Sequence, residues 1–489
     1  VNGAATETTR GPGPQAVLPQ HGAQELGFPL PVTSASRAAV ARRRREGALQ
    51  VWMTATAVAA SLLMVAGLLL LVLVNGLGYF WPRDVARLEL VDGQVIIGEI
   101  VGREPIPDMG ATLTGATASA SGPRYRIQLK TGNRDVYGLD YRWVDEDAIA
   151  ALGYPEDITV FERRAWGNLY GVVLEENADG YEVQLADGRT RWLRAQDVVD
   201  SWRPNAMTTG QKLVAYAVNV WEFLTGEPRE SNTEGGIFPA LFGTVLMVFL
   251  MTLAAVPLGV LAALYLREYA GQGPLVSLVR VAVNNLAGVP SIVYGVFGLG
   301  FFVYGVGGTL DRLLFSDQLP TPTFGTGGIL WASLTMALLT VPVVIVATEE
   351  GLAAVPGSLR EASLALGATR WETVRHVILP RVLPAVITGA ILAIARAAGE
   401  VAPLMLTGVV KVAPALAIDG TAPFVHLYRK FMHLGFHIYD AGFQSPNVEA
   451  ARPMVFATTL VLLALITGLN LVAVVLRHRL RERYQSPSV

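Results

Sequence analysis

A helix needs about 20 mostly apolar residues to cross the hydrocarbon core of a bilayer. Six segments of this sequence supply them: 51–80, 236–266, 288–306, 326–348, 382–410 and 454–476. In hydrocarbon every backbone N–H and C=O must be satisfied within its own helix or closed barrel, so the runs dictate an all-α polytopic membrane protein of six spans. Charged residues make up 16% of the chain, against roughly 25% in soluble domains. The first run follows "ARRRREG" (41–47) like a signal peptide. It is about twice the length of a signal-peptide apolar region, which makes it a retained span. A net charge of −2 offers no basic field for nucleic acid. With no cysteine in the chain, disulfides, thiolate metal sites and thiol catalysis are excluded.

Lysine and arginine near the span ends set orientation. "RRRR" (42–45) places the N-terminus in the cytoplasm, and alternating crossings put 266–273, 361–380 and the arginine-rich tail 477–484 there too. Residues 81–235 and the loop 411–453 then lie outside, although Arg429 and Lys430 in that loop run against the rule. The expected organisation is a disordered cytoplasmic stretch (1–36), a basic flank with the first span (37–81), an extracytoplasmic domain (82–235), a transmembrane domain (236–484) and a tail (485–489). Within the outside domain "YRIQLKTG" (125–132) and "YEVQLADG" (181–188) share a Tyr-x-β-branched-Gln-Leu-x-x-Gly frame, and "LELVDG" (88–93) repeats its end. Alternation before a glycine turn predicts β-hairpins, hence a β-rich insert of two or three related barrel-like units. "GATLTGATASASG" (110–122) reads as a flexible insertion. The insert serves either as a spacer or as a docking module.

One passage between apolar runs is charged: "EASLALGATRWETVRHVILP" (361–380). Ser358 with Glu361, and Thr369 with Glu372, have the spacing of capping boxes. Gly367 suits the left-handed position that ends a helix. The pattern predicts a helix from about Leu359, an elbow at Gly367, and a second helix to about Leu379. Pro380 and Pro384 are expected to break it before the next span. Small residues (Ala362, Ala365, Gly367, Ala368) would admit a close neighbour. Local physics leaves two readings, a helix lying on lipid or a protein-docking elbow.

The passage closely resembles the EAA signature of ABC-importer permeases, with Glu361, Ala362, Ser363, Gly367, Ile378 and Pro380 in register. The resemblance implies the type I permease fold and makes 359–379 the coupling helix, which docks on a cytoplasmic ATPase. "NNLAGVPSIVYGVFGLG" (284–300), "ARAAGEVAPLMLTG" (395–408) and "AALYLREYA" (262–270) resemble the phosphate-specific (Pst) permeases, closer to the A-type subunit than to the C-type. The likeness covers about half the chain, 236–484, and the large outside insert departs from it. It implies an inner-membrane transport subunit, not an enzyme, passing inorganic phosphate. Its implied partners are a second permease, a P-loop ATPase dimer carrying ATP and Mg, and an extracytoplasmic phosphate-binding protein. The chain itself would need no cofactor and no metal.

Arg396 is expected mid-span in the fifth apolar run, 382–410, and Glu400 follows at i+4. Each charge costs about 2.5–3.5 kcal/mol at a helix centre, so both should face a pathway or a partner. A guanidinium can fork onto an oxyanion, and a carboxylate beside it would moderate its grip. The competing reading is an ion pair at the contact with the second permease. Asn284, Asn285, Ser291 and Tyr294 read better as helix-to-helix hydrogen bonds than as pathway lining. Glu349 and Glu350 are expected to face solvent or the ATPase. The chain contains no G-x-x-x-x-G-K-[ST] string and so no motor of its own. His433 and His437 have metal-pair spacing without a third ligand nearby, so the segment "HLYRKFMHLGFH" (426–437) reads as an amphipathic contact for an outside partner. A sulfate or molybdate importer, an ATPase-independent transporter, and a phosphate-sensing scaffold remain compatible with these residues.

Overall fold

The computed structural model describes residues 34–106, 124–271, 273–445 and 448–484. The expected disorder of 1–33, the insertion at 110–122 and the tail 485–489 lie outside the described residues, whereas 34–36 already begin a helix. The chain divides into two compact units, Val1–Leu68 and Leu69–Val489. In its described part the first is a stretch of the single helix Ser34–Gly78.

Among the described residues six helices are long and apolar enough to cross a membrane: Gln50–Gly78, Phe238–Tyr269, Ser291–Leu314, Ile329–Ala353, Arg370–Gly399 and Val448–Arg479. The number matches the six apolar runs, but the fifth helix is displaced. It begins at Arg370 and ends at Gly399, so Arg396 occupies its last turn rather than the middle of a span, and Glu400 lies just beyond it. The second, fourth and fifth spans form the core, with Met247, Met251, Met336, Leu339 and Ala397 buried between them. Glycines let these backbones approach: a Cβ at Gly259 would sit 2.7 Å from Val344, and one at Gly389 would sit 2.9 Å from Ala347. Close packing of this kind holds helices together where lipid removes the hydrophobic driving force.

The insert consists of two five-stranded antiparallel sheets of one topology. In the first, β1 (Val85–Leu90), β2 (Val95–Pro105), β3 (Tyr125–Lys130) and β4 (Tyr141–Asp145) form a meander, and β5 (Ile149–Gly153) returns to pair with β1. In the second, β6 (Ile158–Arg163), β7 (Leu169–Asn177), β8 (Gly180–Gln184) and β9 (Thr190–Arg194) repeat the path, and β10 (Val198–Trp202) returns to β6. A 3-10 turn precedes the returning strand in both, at Glu146–Ala148 and Ala195–Asp197. The repeated Tyr frame falls on the equivalent strands β3 and β8, and its apolar positions, Ile127 with Leu129 and Val183 with Leu185, are buried. "LELVDG" lies on β1, so its similarity reflects only a shared turn at Gly93 (φ +83°). Val85 and Ile97 of the first sheet pack with Ile158, Val160 and Tyr170 of the second, which makes the pair one body.

A short hairpin, Pro228–Arg229 against Glu234–Gly235, ties this body to the membrane part. Arg229 pairs with Glu162, and Arg134 with Glu230 at 2.6 Å. On its other side Asn232 donates to the Lys411 carbonyl (3.0 Å) and to Asp440 (3.2 Å). Gln128 also donates to Glu449 at the start of the sixth span (2.8 Å). The sheets therefore sit against the loops that six alternating crossings put on their side.

Candidate functional site

Two places gather the residues singled out by sequence. The first is the elbow. Thr369 caps the second helix: its hydroxyl accepts from Glu372 N, while the Glu372 carboxylate accepts from Thr369 N (2.8 Å). Gly367 has φ +88°, the left-handed turn that a side chain resists. The other cap is absent. The first helix runs Gly357–Ala365 behind Pro356 and has no side-chain cap, which leaves Ser358 inside its first turn. The expected break at Pro380 does not occur either. Residues Thr373–Ile378 form a wide π turn that continues as α-helix from Leu379 through Pro380 and Pro384. The wide turn lies just before Pro380, and π turns and proline kinks commonly fall together where a helix changes its hydrogen-bond register.

Glu361, Ala362 and Gly367 are exposed, Ser363 bonds Thr373 (2.9 Å), Ile378 is buried, and Pro380 is half-buried. Three apolar side chains stand out on the same elbow: Leu364, Leu366 and Trp371, exposed by 45%, 89% and 56%. Sequence reasoning passed over them because it weighed the small face. Beneath the elbow lies an arginine clamp. Arg360 grips both carboxylate oxygens of Glu268, at 2.8–3.2 Å, and donates to the carbonyls of Val355 (2.8 Å) and Leu352 (2.9 Å). It thus joins the elbow to the ends of the second and fourth spans. Arg280 does a related job, reaching Glu349 and the Leu266 carbonyl, both at 3.3 Å. Glu349 is therefore half-buried and paired rather than turned to solvent; Glu350 is exposed.

The second place is the end of the fifth span. The helix stops at Gly399, Glu400 takes an extended conformation (φ −79°, ψ 137°), and a short helix, Ala402–Thr407, follows. The break leaves Glu400 in non-helical backbone between the two helices. Arg396 Nε lies 3.8 Å from Glu400 Oε1, an ion pair too long for a hydrogen bond. The Arg396 side chain is one-third exposed, and it donates no hydrogen bond to any described residue. Its fork of donors is thus available to an anion. The Tyr294 hydroxyl is spent on the Leu286 carbonyl (2.7 Å), a helix-to-helix role as expected. Asn284 and Asn285 are exposed, and Ser291 is half-buried at the start of the third span.

The histidines of the last loop do not form a surface. His426, His433 and His437 are buried, which corrects the amphipathic reading: the loop folds back onto the second span, with Leu434 N donating to the Thr244 hydroxyl (2.9 Å). Among the described residues no group of three or more His, Asp or Glu could hold a metal. Burial lowers the His433 imidazole to about 3 and that of His437 to about 4, where Asp440 opposes the shift and Lys411 adds to it. Both folded values lie below the ordinary histidine value of about 6.5. As pH falls, the unfolded chain takes up protons first. This stabilisation is complete above about pH 6.5 and is lost progressively towards pH 4, on the order of 3 kcal/mol for each ring. Thermal unfolding of the purified chain should therefore weaken steeply over that window. His437→Leu, which removes two ring nitrogens that have no hydrogen-bond partner, should flatten the profile.

Residues 255–482 match the family of binding-protein-dependent transport system inner membrane components. A probable ABC transporter permease, YqgI of Bacillus subtilis (strain 168), is 32% identical over 237 residues, which cover 47% of this chain and 74% of that protein. The phosphate transport system permease PstA of Mycobacterium leprae (strain TN) is 37% identical over 194 residues, 39% of this chain and 58% of that one. PstA of Yersinia pestis is 37% identical over 180 residues, with 37% and 55% covered. The chain thus spans little more than half of these two PstA proteins, and the two sheets precede the family match.

Proposed function

The chain belongs to the binding-protein-dependent transport system inner membrane components, and we infer that it is the permease subunit of an ATP-driven importer of inorganic phosphate. The observation that carries the substrate is the Arg396 guanidinium at a helix break, one-third exposed and held only loosely by Glu400. A planar fork of donors matches a phosphate oxyanion, and a carboxylate within 4 Å keeps the complex weak enough to release its ion. Relatives that bear the phosphate-permease name support the same choice.

In this reading the sheets face outside, where a phosphate-binding protein delivers its ligand, and a second permease completes the pathway. The elbow faces the cytoplasm, where a partner ATPase binds ATP and Mg. ATP draws the ATPase dimer together, and the elbow carries that movement into the spans. The pathway opens outward, and hydrolysis resets it. No covalent chemistry falls to this chain. Uptake of radiolabelled phosphate, in cells lacking the chain and in cells to which it is returned, tests the proposal with sulfate as competitor. Restored uptake that ignores sulfate supports it. Uptake unchanged by deletion, in cells with no second phosphate route, would sink the phosphate assignment.

The exposed apolar elbow makes its own prediction. A buried tryptophan anchor at a protein interface can contribute about 2 kcal/mol or more. Trp371→Ala combined with Leu366→Ser should weaken ATPase binding by at least about 30-fold. Co-purification and titration of the ATPase against reconstituted permease would show it, while the fold of the permease is unchanged because neither side chain is buried.

A further inference from the structure

Between the second sheet and the second span lies a 17-residue helix, Thr209–Thr225, with a complete capping box from Thr208 and Gln211. Its two faces are both apolar. Tyr216, Val220 and Phe223 pack inward with Phe80, Ile237 and Met454. On the outer face Val214, Ala217, Val218 and Trp221 follow the i, i+3, i+4, i+7 spacing and are exposed, Val214 and Trp221 by about two-thirds. An apolar groove of about 410 Å³ shares Val214 and Val218 with this stripe and is closed by Pro82, Trp202 and Met207.

The helix is pinned where two spans leave the membrane. Phe80, two residues past the end of the first span, meets the rings of both Tyr216 (6.0 Å) and Phe223 (5.1 Å). Asn219 donates to the Phe80 carbonyl (3.1 Å), and Lys212 pairs with Asp84. Ile237 N, one residue before the second span, donates to the Phe223 carbonyl (2.8 Å). Tyr216 and Phe223 are seven residues apart, about 10 Å along a helix. The Phe80 ring therefore sits beside the middle of the helix, which places that part of the helix at the exit of the first span.

We propose that Thr209–Thr225 lies in the membrane interface, with the Val214–Val218–Trp221 stripe sunk into the leaflet on the side of the sheets. The occupant is phospholipid because the stripe lies at the level where two spans emerge from the bilayer. Trp221 and the partly exposed Trp81 also give that level the aromatic residues favoured at membrane boundaries. The connection from the sheets to the second span is thereby itself anchored in the leaflet. This inference does not depend on the transported ion.

The native chain lacks cysteine, so single labels report one place each. The full chain carrying Val214→Cys, Val218→Cys or Trp221→Cys would be labelled with a nitroxide in phosphatidylethanolamine and phosphatidylglycerol vesicles. Glu176→Cys, exposed near the end of strand β7 in the second sheet, serves as the aqueous control. Collisions with oxygen should exceed collisions with a water-soluble nickel chelate at 214, 218 and 221, and the order should reverse at 176. Nickel access at the stripe equal to that at 176 overturns the proposal. So does an immobilised spectrum shielded from both reagents, which would mean that a protein covers the stripe.

Discussion

Replacing Arg360 by methionine should loosen the elbow by about 3 kcal/mol, a change of roughly 10²-fold in its local opening. The side chains of Arg360 and Glu268 are only 22% and 12% exposed. The substitution leaves a mostly buried carboxylate without its cation and two helix-end carbonyls without their donor. Breaking one partner of such a pair is far more damaging than removing both. The double variant Arg360→Met, Glu268→Leu should therefore recover much of the loss. Hydrogen exchange over 357–365, measured in the four members of the cycle, gives the coupling directly. Equal exchange in the wild type and Arg360→Met would show that the clamp does not hold the elbow. If the proposed function holds, a complex assembled with this variant should still hydrolyse ATP on the partner ATPase yet move less phosphate per turnover, because the elbow would shift without pulling the second and fourth spans. Arg360→Lys should not restore it, since one ammonium cannot satisfy a carboxylate and two carbonyls at once.

The clamp also shows what sequence could and could not disclose. Local signals were legible: the Thr369–Glu372 box and the left-handed Gly367 are both formed, because each concerns backbone groups within a few residues. The Tyr frame found the equivalent strands of two sheets because alternation and a glycine turn are also local. Arg360 gives no local sign of its role, as its partner is 92 positions away. The Ser358–Glu361 box had the right spacing, but the helix starts two residues before the expected Leu359, at Gly357. Pro380 reads as a stop because the rule for proline assumes an uninterrupted α-helix, whereas here a π turn precedes it and the helix continues. Gly399 could have warned that Glu400 lies outside the helix. The buried histidines carried no such sign. Their segment has the composition of a surface helix, and only tertiary packing reveals that the loop folds inward.

Arg396 should be the most demanding position for transport. If its fork meets phosphate, Arg396→Ala removes the charge-assisted bonds that offset dehydration of the ion, each about 1.5–3 kcal/mol. Two such bonds correspond to a loss of uptake of roughly 10²-fold or more. Arg396→Lys keeps the charge and loses the fork, so it should fall between the wild type and alanine, with a weaker preference for phosphate over monovalent anions. Glu400→Gln removes the negative neighbour 3.8 Å away. Its affinity should rise while turnover drops, because an ion held more tightly leaves more slowly. Assembly of the complex distinguishes the rival reading. Were Arg396 and Glu400 a structural pair at the contact with the second permease, both variants would lower the yield of intact complex in parallel with uptake. Lysine and alanine would then differ little. Uptake kinetics and complex yield, measured together for the three variants, decide between a pathway and an interface.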